Sequence, residues 1–354
     1  MTLYVAKGEP DACGPGCNEW IAADGPVDPD VVRRLGDLLD TLKGRNLPIM
    51  FNSGGGSLGT ALQLGDLLRA RRMTASVGET VPKGCLSSIS TDATCRRFVK
   101  SDSATEAWLM RTADAECTSA CLYAFLGASV RQVPPDVRLG IHAIAETPKS
   151  IQMGEKLNEA RTGTKWYVLG KGVDPGLVDA AENIPSHAKQ FLSREDIARY
   201  GVETGGNLET NWLLFELPYW KWPFIAKAIT QPRRSDGKEY RTTNIRVTCD
   251  DTSRTALHYQ REPATNETNV STTVRVAVGN DVRTLRNGKP DPGHDLYSAY
   301  VDRQFFQKAI AAGGIVVTET FSPRNARPWS RDIKFSAAGL EQALQTPLKD
   351  CSGR

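Results

Sequence analysis

The chain has 354 residues, more than one compact core usually serves, so two domains are expected. It is 40% hydrophobic and 24% charged, as soluble globular proteins are, and its formal net charge of +3 comes from scattered Lys and Arg, which argues against nucleic acid as the main partner. No apolar stretch reaches the roughly 18 residues that a membrane helix needs.

From the N-terminus, MTLYVAKGEPDACG shows neither the basic nor the apolar region of a signal peptide. EWIAADGPV, beginning at Glu19, reads as a short strand ending in a Gly-Pro turn. Over 28–46, Val31, Val32, Leu35, Leu38, Leu39 and Leu42 recur at helical spacing, with Asp28 or Asp30 as N-cap and Gly44 as stop. LPIMFNS (47–53) is a buried strand that runs into three glycines, and a second helix is expected over 57–72, with Leu58, Leu62, Leu64, Leu67 and Leu68 facing inward. MTASVGE (73–79) reads as a third strand. Residues 80–116 lack a clear period and read as a loop or hairpin insertion.

After CTSAC (117–121) a helix is expected, then a turn and strand in 133–143. Helices are expected over 149–169 and 174–183, and a capped helix and turn over 191–204. Such alternation favours an α/β layered fold with parallel strands. The run WLLFELPYWKWPFIAKAI (212–229) contains Glu216, Lys221, Lys227 and two prolines, so it does not span a membrane and reads as a buried linker. Beyond it NIRVTCDD, TALHYQRE and NVSTTVRVAV alternate with the period of half-buried strands, and only FFQKAIAAGG and SAAGLEQALQTPL suggest helices. The expected organisation is an α/β domain over 1–209, an aromatic linker over 210–229 and a smaller β-rich domain over 230–354.

Eight cysteines stand at 13, 17, 85, 95, 117, 121, 249 and 351, without two CxxC knuckles and with only four histidines, so no metal site is expected. An even, dispersed count fits disulfides and an oxidising compartment, and a periplasmic or secreted location is expected. Cys13 and Cys17 form either a local loop or a cross-link to the β-rich domain, and a Cys249–Cys351 bridge would close that domain on itself. Cys117 and Cys121 are placed as if on one face of a single helix, a poor arrangement for bonding each other, so pairing with Cys85 or Cys95 is expected.

Three features of the first domain carry chemistry. NSGGGS (52–57) joins a strand to a helix through glycines that free backbone N–H groups to face a developing negative charge. Ser119 stands between the small residues Thr118 and Ala120 at an expected helix start, and His142 ends the apolar strand RLGIHA. Activation of Cys117 or Cys121 at the helix N-terminus is the rival for the nucleophile's role.

NSGGGS, CTSACLYAFLGASVR and PPDVRLGIHA, in that order and at these separations, resemble the Clp protease proteolytic subunit and its relatives in the ClpP/crotonase superfamily. FLSREDIARYGVET continues the resemblance, which covers about residues 18–204. It implies a layered ββα core in which Ser119 attacks a carbonyl, His142 takes its proton, and the amides of Ala120 and of Gly55 or Gly56 form an oxyanion hole. Gly54 stands where the family has proline, and Lys189 where the family has its third, acidic residue. Glu182 is the nearby carboxylate expected to replace that acid, with Asp179, His187 and a backbone carbonyl as other candidates for orienting His142. The β-rich tail resembles the invasion-associated locus B type of small β domain, through RVTCDD and FSAAGLEQAL before a final Cys.

The reading that follows is a serine peptidase-like hydrolase acting on peptides or proteins without a bound cofactor. A catalytically weak or inactive envelope binding protein on the same fold is the alternative. A crotonase-type acyl-CoA enzyme is the third reading, though it would require a basic adenine-sized pocket or a catalytic Glu to which nothing here points. The resemblance leaves room for a homo-oligomer, and no ATPase partner is expected because the family's N-terminal and handle segments find no match.

Overall fold

The chain opens on a strand, β1 (Thr2–Lys7), which pairs antiparallel with β2 (Glu19–Asp24). A Cys13–Cys17 disulfide closes the local loop between them. The computed structural model describes residues 1–144, 153–205, 208–216, 222–232, 240–249, 254–263, 267, 270–288, 294–324 and 327–345. Two compact units emerge, one made of Met1–Ile151, Pro175–Gly205 and Arg234–Tyr240, the other of Gln152–Asp174, Gly206–Arg233 and Arg241–Arg354.

In the first unit, α1 (Val31–Thr41) follows β2 and buries Val31, Leu35 and Leu39. β3 (Ile49–Asn52) is wholly buried, and α2 (Leu58–Ala70) starts at Ser57, whose hydroxyl accepts the Thr60 N–H. β4 (Thr74–Val77), β5 (Glu79–Pro82) and β6 (Thr105–Met110) come next. Then come β7 (Glu116–Thr118), α3 (Ala120–Leu126), β8 (Val130–Gln132) and β9 (Arg138–Ile141). After α4 (Met153–Gly170), which belongs to the second unit, the chain returns to the first with α5 (Gly176–Glu182), β10 (Gln190–Phe191) and α6 (Arg194–Tyr200). The capped helix expected over 191–204 is α6, which carries a capping box, Ser193 and Asp196 each bonding the other's amide.

A seven-stranded sheet runs in the order β5-β6-β1-β2-β3-β4-β8. β2, β3, β4 and β8 are parallel, as the alternation of strands and helices predicts. The sheet is mixed overall, because the short connections from β1 to β2 and the hairpin-like insertion holding β5 and β6 produce antiparallel neighbours. Cys85 and Cys95 bond each other inside that insertion. A second sheet, β10-β9-β7, lies beyond the end of β3. Every residue of α3 is buried, and α3 approaches α2 so closely that a Cβ at Gly127 would lie 2.2 Å from the Cα of Gly65.

The second unit is a β-rich body. Its strands are β11 (Leu208–Glu209), β12 (Leu213–Phe215), β13 (Phe224–Pro232), β14 (Tyr240–Cys249), β15 (Thr255–Arg261), β16 (Val270–Val278), β17 (Asp281–Asn287), β18 (Asp295–Tyr300), β19 (Gly314–Pro323) and β20 (Trp329–Ser336). They form a sheet ordered β11-β13-β14-β15-β18-β17-β16-β19-β20, with β12 pairing β13. α7 (Arg303–Ala311) and α8 (Leu340–Leu344) bury Phe305, Phe306, Leu340 and Leu344 in the same core as Trp212, Ile225, Leu257, Val317 and Phe335. Within this unit Glu319 is fully buried and flanked by Arg241, Arg261 and Arg331; burial pushes its carboxyl up, opposed by Arg241, Arg261 and the hydrogen bond from Tyr259 Oη. Cys351 lies outside the described residues, and with it the expected Cys249–Cys351 bridge. Among the described residues no helix is long and apolar enough to cross a membrane, and no His, Cys, Asp and Glu cluster suits a metal ion.

Candidate functional site

The end of β3 builds the site. Ser53 N–H donates to the Glu116 carbonyl at 2.7 Å and Thr118 N–H to the Ser53 carbonyl at 3.0 Å, so the strand that begins in the large sheet finishes alongside β7. The chain then passes through Gly54, Gly55 and Gly56 into α2, while β7 passes through Ser119 into α3. Gly55 and Gly56 have φ of +118° and +141°, values that side chains resist. A Cβ on Gly55 would lie 2.7 Å from Ser119 Cβ and 3.1 Å from Ser119 Oγ, so only glycine lets the two turns meet here.

Ser119 itself has φ 57° and ψ −129°, a backbone conformation costly for a non-glycine residue. Such strain at a strand-to-helix turn presents a side chain outward from a sheet edge. The conformation is held by the Ser119 N–H, which donates to the Gly140 carbonyl at 3.0 Å. Ser119 is half-buried and the next residue, Ala120, starts the helix. The first amides of a helix lack intrahelical acceptors, so the Ala120 N–H is available at this turn. Gly55 N–H lies 3.2 Å from Ser53 Oγ, a rotatable hydroxyl.

Cys117 and Cys121 bond each other across this turn, with Cα atoms 5.2 Å apart, which overturns the expected pairing of either with Cys85 or Cys95. The reason lies in Ser119: Cys117 belongs to β7 and Cys121 to the first turn of α3, so the two are not helical neighbours and the reversal at Ser119 brings them together. Both are fully buried. With all four thiols of these pairs oxidised, neither Cys117 nor Cys121 is a free thiolate that could serve as nucleophile.

β9 lies parallel to β7, with Thr118 opposite Gly140, and His142 follows its last residue. The half-buried His142 therefore stands beside the Ser119 turn, on the neighbouring strand. Its Nδ1 is 2.7 Å from the Ala143 carbonyl oxygen. Among the described residues Ser119 Oγ and His142 make no hydrogen bond to each other. Glu182 ends α5 and its Oε1 accepts the Ile144 N–H at 3.0 Å, while the Ile184 carbonyl accepts the Ala143 N–H at 2.8 Å. The carboxylate thus fixes the strap leaving His142. It also helps to push the buried Tyr123 hydroxyl on α3 upward, after burial itself. His187 is exposed, and Asp179 lies a turn earlier on α5.

Lys189 donates to both carboxylate oxygens of Glu116, at 2.9 and 2.8 Å. Sequence reasoning did not single out Glu116, since nothing along the chain marks a carboxylate seventy-three residues before Lys189 as its partner. It also missed a buried network beside the site. Asp24 accepts from Ser90 N–H at 2.6 Å, Ser90 Oγ at 2.9 Å and Asn52 Nδ2 at 2.8 Å, and Glu116 N–H donates to Asn52 Oδ1 at 3.3 Å. Burial raises the Asp24 carboxyl against these bonds, and the network ties the insertion to the start of β7. Arg131, buried in the expected GASVR run, donates to the Leu126, Ala128, Gly201 and Val202 carbonyls and so caps the C-terminal end of α3.

No protein-family model matches the chain, and no curated protein does. Among solved structures it is similar to ClpP1 from Listeria monocytogenes, at 13% identity and a TM-score of 0.34, covering 51% of this chain and 86% of that one. A point mutant of the same ClpP1 is similar at 14% identity, with the same coverage and TM-score.

Proposed function

We propose that the first unit is a serine hydrolase-type site acting on peptide bonds, with Ser119 as nucleophile and His142 as its base. The observation that carries this reading is the backbone of Ser119: a strained, glycine-packed turn at the head of a buried helix, beside a strand-end histidine. In the reaction Ser119 Oγ attacks the carbonyl carbon while His142 takes the hydroxyl proton, then returns it to the leaving amine; water reverses the sequence to release the acyl group. The oxyanion would be met by the Ala120 N–H and by that of Gly55 or Gly56, amides at a helix start and a glycine turn. Glu182 is the carboxylate assigned to orient the His142 segment, through its bond to Ile144. Three disulfides are compatible with an oxidising compartment for the protein.

A second reading is favoured by one contact. Lys189 occupies the position where the resembled family carries its acid, and it is committed to Glu116. A triad without its acid loses on the order of ten-thousandfold in turnover, which would leave a binding protein on a hydrolase scaffold. A fluorophosphonate probe separates the two. Labelling that disappears in Ser119→Ala and falls in His142→Ala supports the hydrolase; an unlabelled oxidised protein supports the binding reading.

A further inference from the structure

A groove of about 900 Å³ opens at the other end of the large sheet, among the N-terminal ends of β2, β3 and β4. That volume is within the range of small-ligand sites. Ser119 lies past the C-terminal end of β3, and the four residues of β3 at roughly 3.3 Å each put about 13 Å or more between the two places. The groove is therefore independent of the site described above and does not rest on the hydrolase reading.

Strand alternation shows which side chains face it. Of β4, Thr74 and Ser76 line the groove while Ala75 and Val77 are fully buried on the opposite face. Gln132, paired with Ser76 in register, lines it too. Ser76 is 1% exposed, and among the described residues its hydroxyl has no hydrogen-bond partner. A buried hydroxyl left without a partner is costly, so a group that fills the groove and bonds it recovers that cost.

Charge selects the ligand. Both acidic residues of the lining are engaged: Glu19 with Arg45 and Lys7, Glu203 with the Val133 N–H and Arg194. Among the described residues of the lining Arg111 is the remaining charged one, half-buried, with its Nε buried and lacking an acceptor there. Burial pushes its guanidinium down, and among the described residues no carboxylate pairs with it. Pro48, Pro134 and Pro135 add an apolar wall, and the amides of Gln132 and Asn18 offer donors and acceptors that suit a peptide backbone.

We propose that this groove binds the C-terminal carboxylate of a short peptide, held by Arg111 and Ser76, with the adjoining side chain against the proline wall. Guanidinium–carboxylate bonding is charge-assisted and geometrically matched, which gives the carboxylate preference over an uncharged end.

The test is calorimetric titration of the full chain carrying Ser119→Ala, so that hydrolysis cannot consume the probe. Acetyl-Ala-Ala-Leu with a free carboxylate is compared with its C-terminal amide and with inorganic phosphate. The acid is expected to bind at least about tenfold more tightly than the amide, and Arg111→Gln to remove that difference. Ser76→Ala should weaken the acid severalfold, and Arg111→Lys should retain part of the preference even if Arg111→Gln folds poorly. Equal binding of acid and amide, phosphate binding as tightly as the peptide acid, no binding, or an acid preference that survives Arg111→Gln in a protein of unchanged melting temperature would each overturn the proposal.

Discussion

Lys189 Nζ sits 2.9 and 2.8 Å from the two carboxylate oxygens of Glu116, three residues before Ser119. The pair joins the strand that ends at Ser119 to the segment leading into β10, across the small second sheet. Both partners are partly exposed, at 45% and 21%, so the ion pair is worth no more than about 1 kcal/mol. Its geometry matters more than its energy, because it fixes the Lys189 segment against the strand that leads into the Ser119 turn. Lys189→Glu and Glu116→Lys should each lower stability by about 0.2–1 kcal/mol, and the double exchange should recover most of the loss. Urea unfolding of the four proteins at low and high salt checks this; a double exchange no more stable than the sum of the single changes would sink it.

The Cys117–Cys121 bridge closes a loop of only five residues, for which chain entropy gives about 2 kcal/mol. Cys117→Ala with Cys121→Ala should cost on that order in stability, seen in the unfolding midpoint. Peptide mapping without reductant should find the tryptic fragment 112–131 lighter than its dithiol by two hydrogen atoms, with both cysteines inside it. A fragment linked instead to one carrying Cys85 or Cys95 would refute the assignment.

Two glycines near the site should respond differently to an added methyl group. Gly55→Ala would press a methyl group against Ser119 at a φ that resists side chains, so probe labelling should fall by about a hundredfold or more. Gly59, on the exposed first turn of α2, has nothing within 4 Å of a built Cβ. Gly59→Ala should leave labelling intact and raise stability by up to about 1 kcal/mol. Equal effects of the two changes on labelling would show that the Gly55–Ser119 contact is immaterial.

His258 in the second unit is held down to about 4 by burial and then by the charge of Arg246. Its Nε2 lies 2.9 Å from Thr248 Oγ1 and its Nδ1 2.7 Å from Ser298 Oγ. The unfolded chain, with an ordinary imidazole near 6.5, binds the proton first as pH falls. Stability from this residue is therefore fully present above about pH 6.5 and is lost as pH falls towards about 4, by no more than about 3 kcal/mol. His258→Gln should flatten the pH dependence of urea unfolding in that window, and an unchanged slope would count against it.

What the sequence could reveal followed local chemistry. The glycine turn, the small residues around Ser119 and the strand ending at His142 are contiguous, and each turned up where its local pattern placed it. The capped helix α6 was legible for the same reason. Cysteine pairing was not, because it depends on where the helix begins: one residue of strand at Cys117 instead of helix changes its partner. The partners of Lys189 and Asp24 were hidden by distance along the chain, and β1 by a pattern too short and too evenly mixed to show a period. That the Ser76 hydroxyl has no partner among the described residues can be seen only once neighbouring strands are in register.

Arg131 has a consequence for how the first unit can be made. Its guanidinium gathers carbonyls from the end of α3 and from Gly201 and Val202, seventy residues later, with no water reaching it. A ribosome that has delivered α3 but not yet residue 201 has therefore delivered a cation whose lodging is unbuilt. A fragment ending before Gly201 would leave that cation without two of its four carbonyl partners, and is expected to hold the C-terminal end of α3 less firmly than the full chain does.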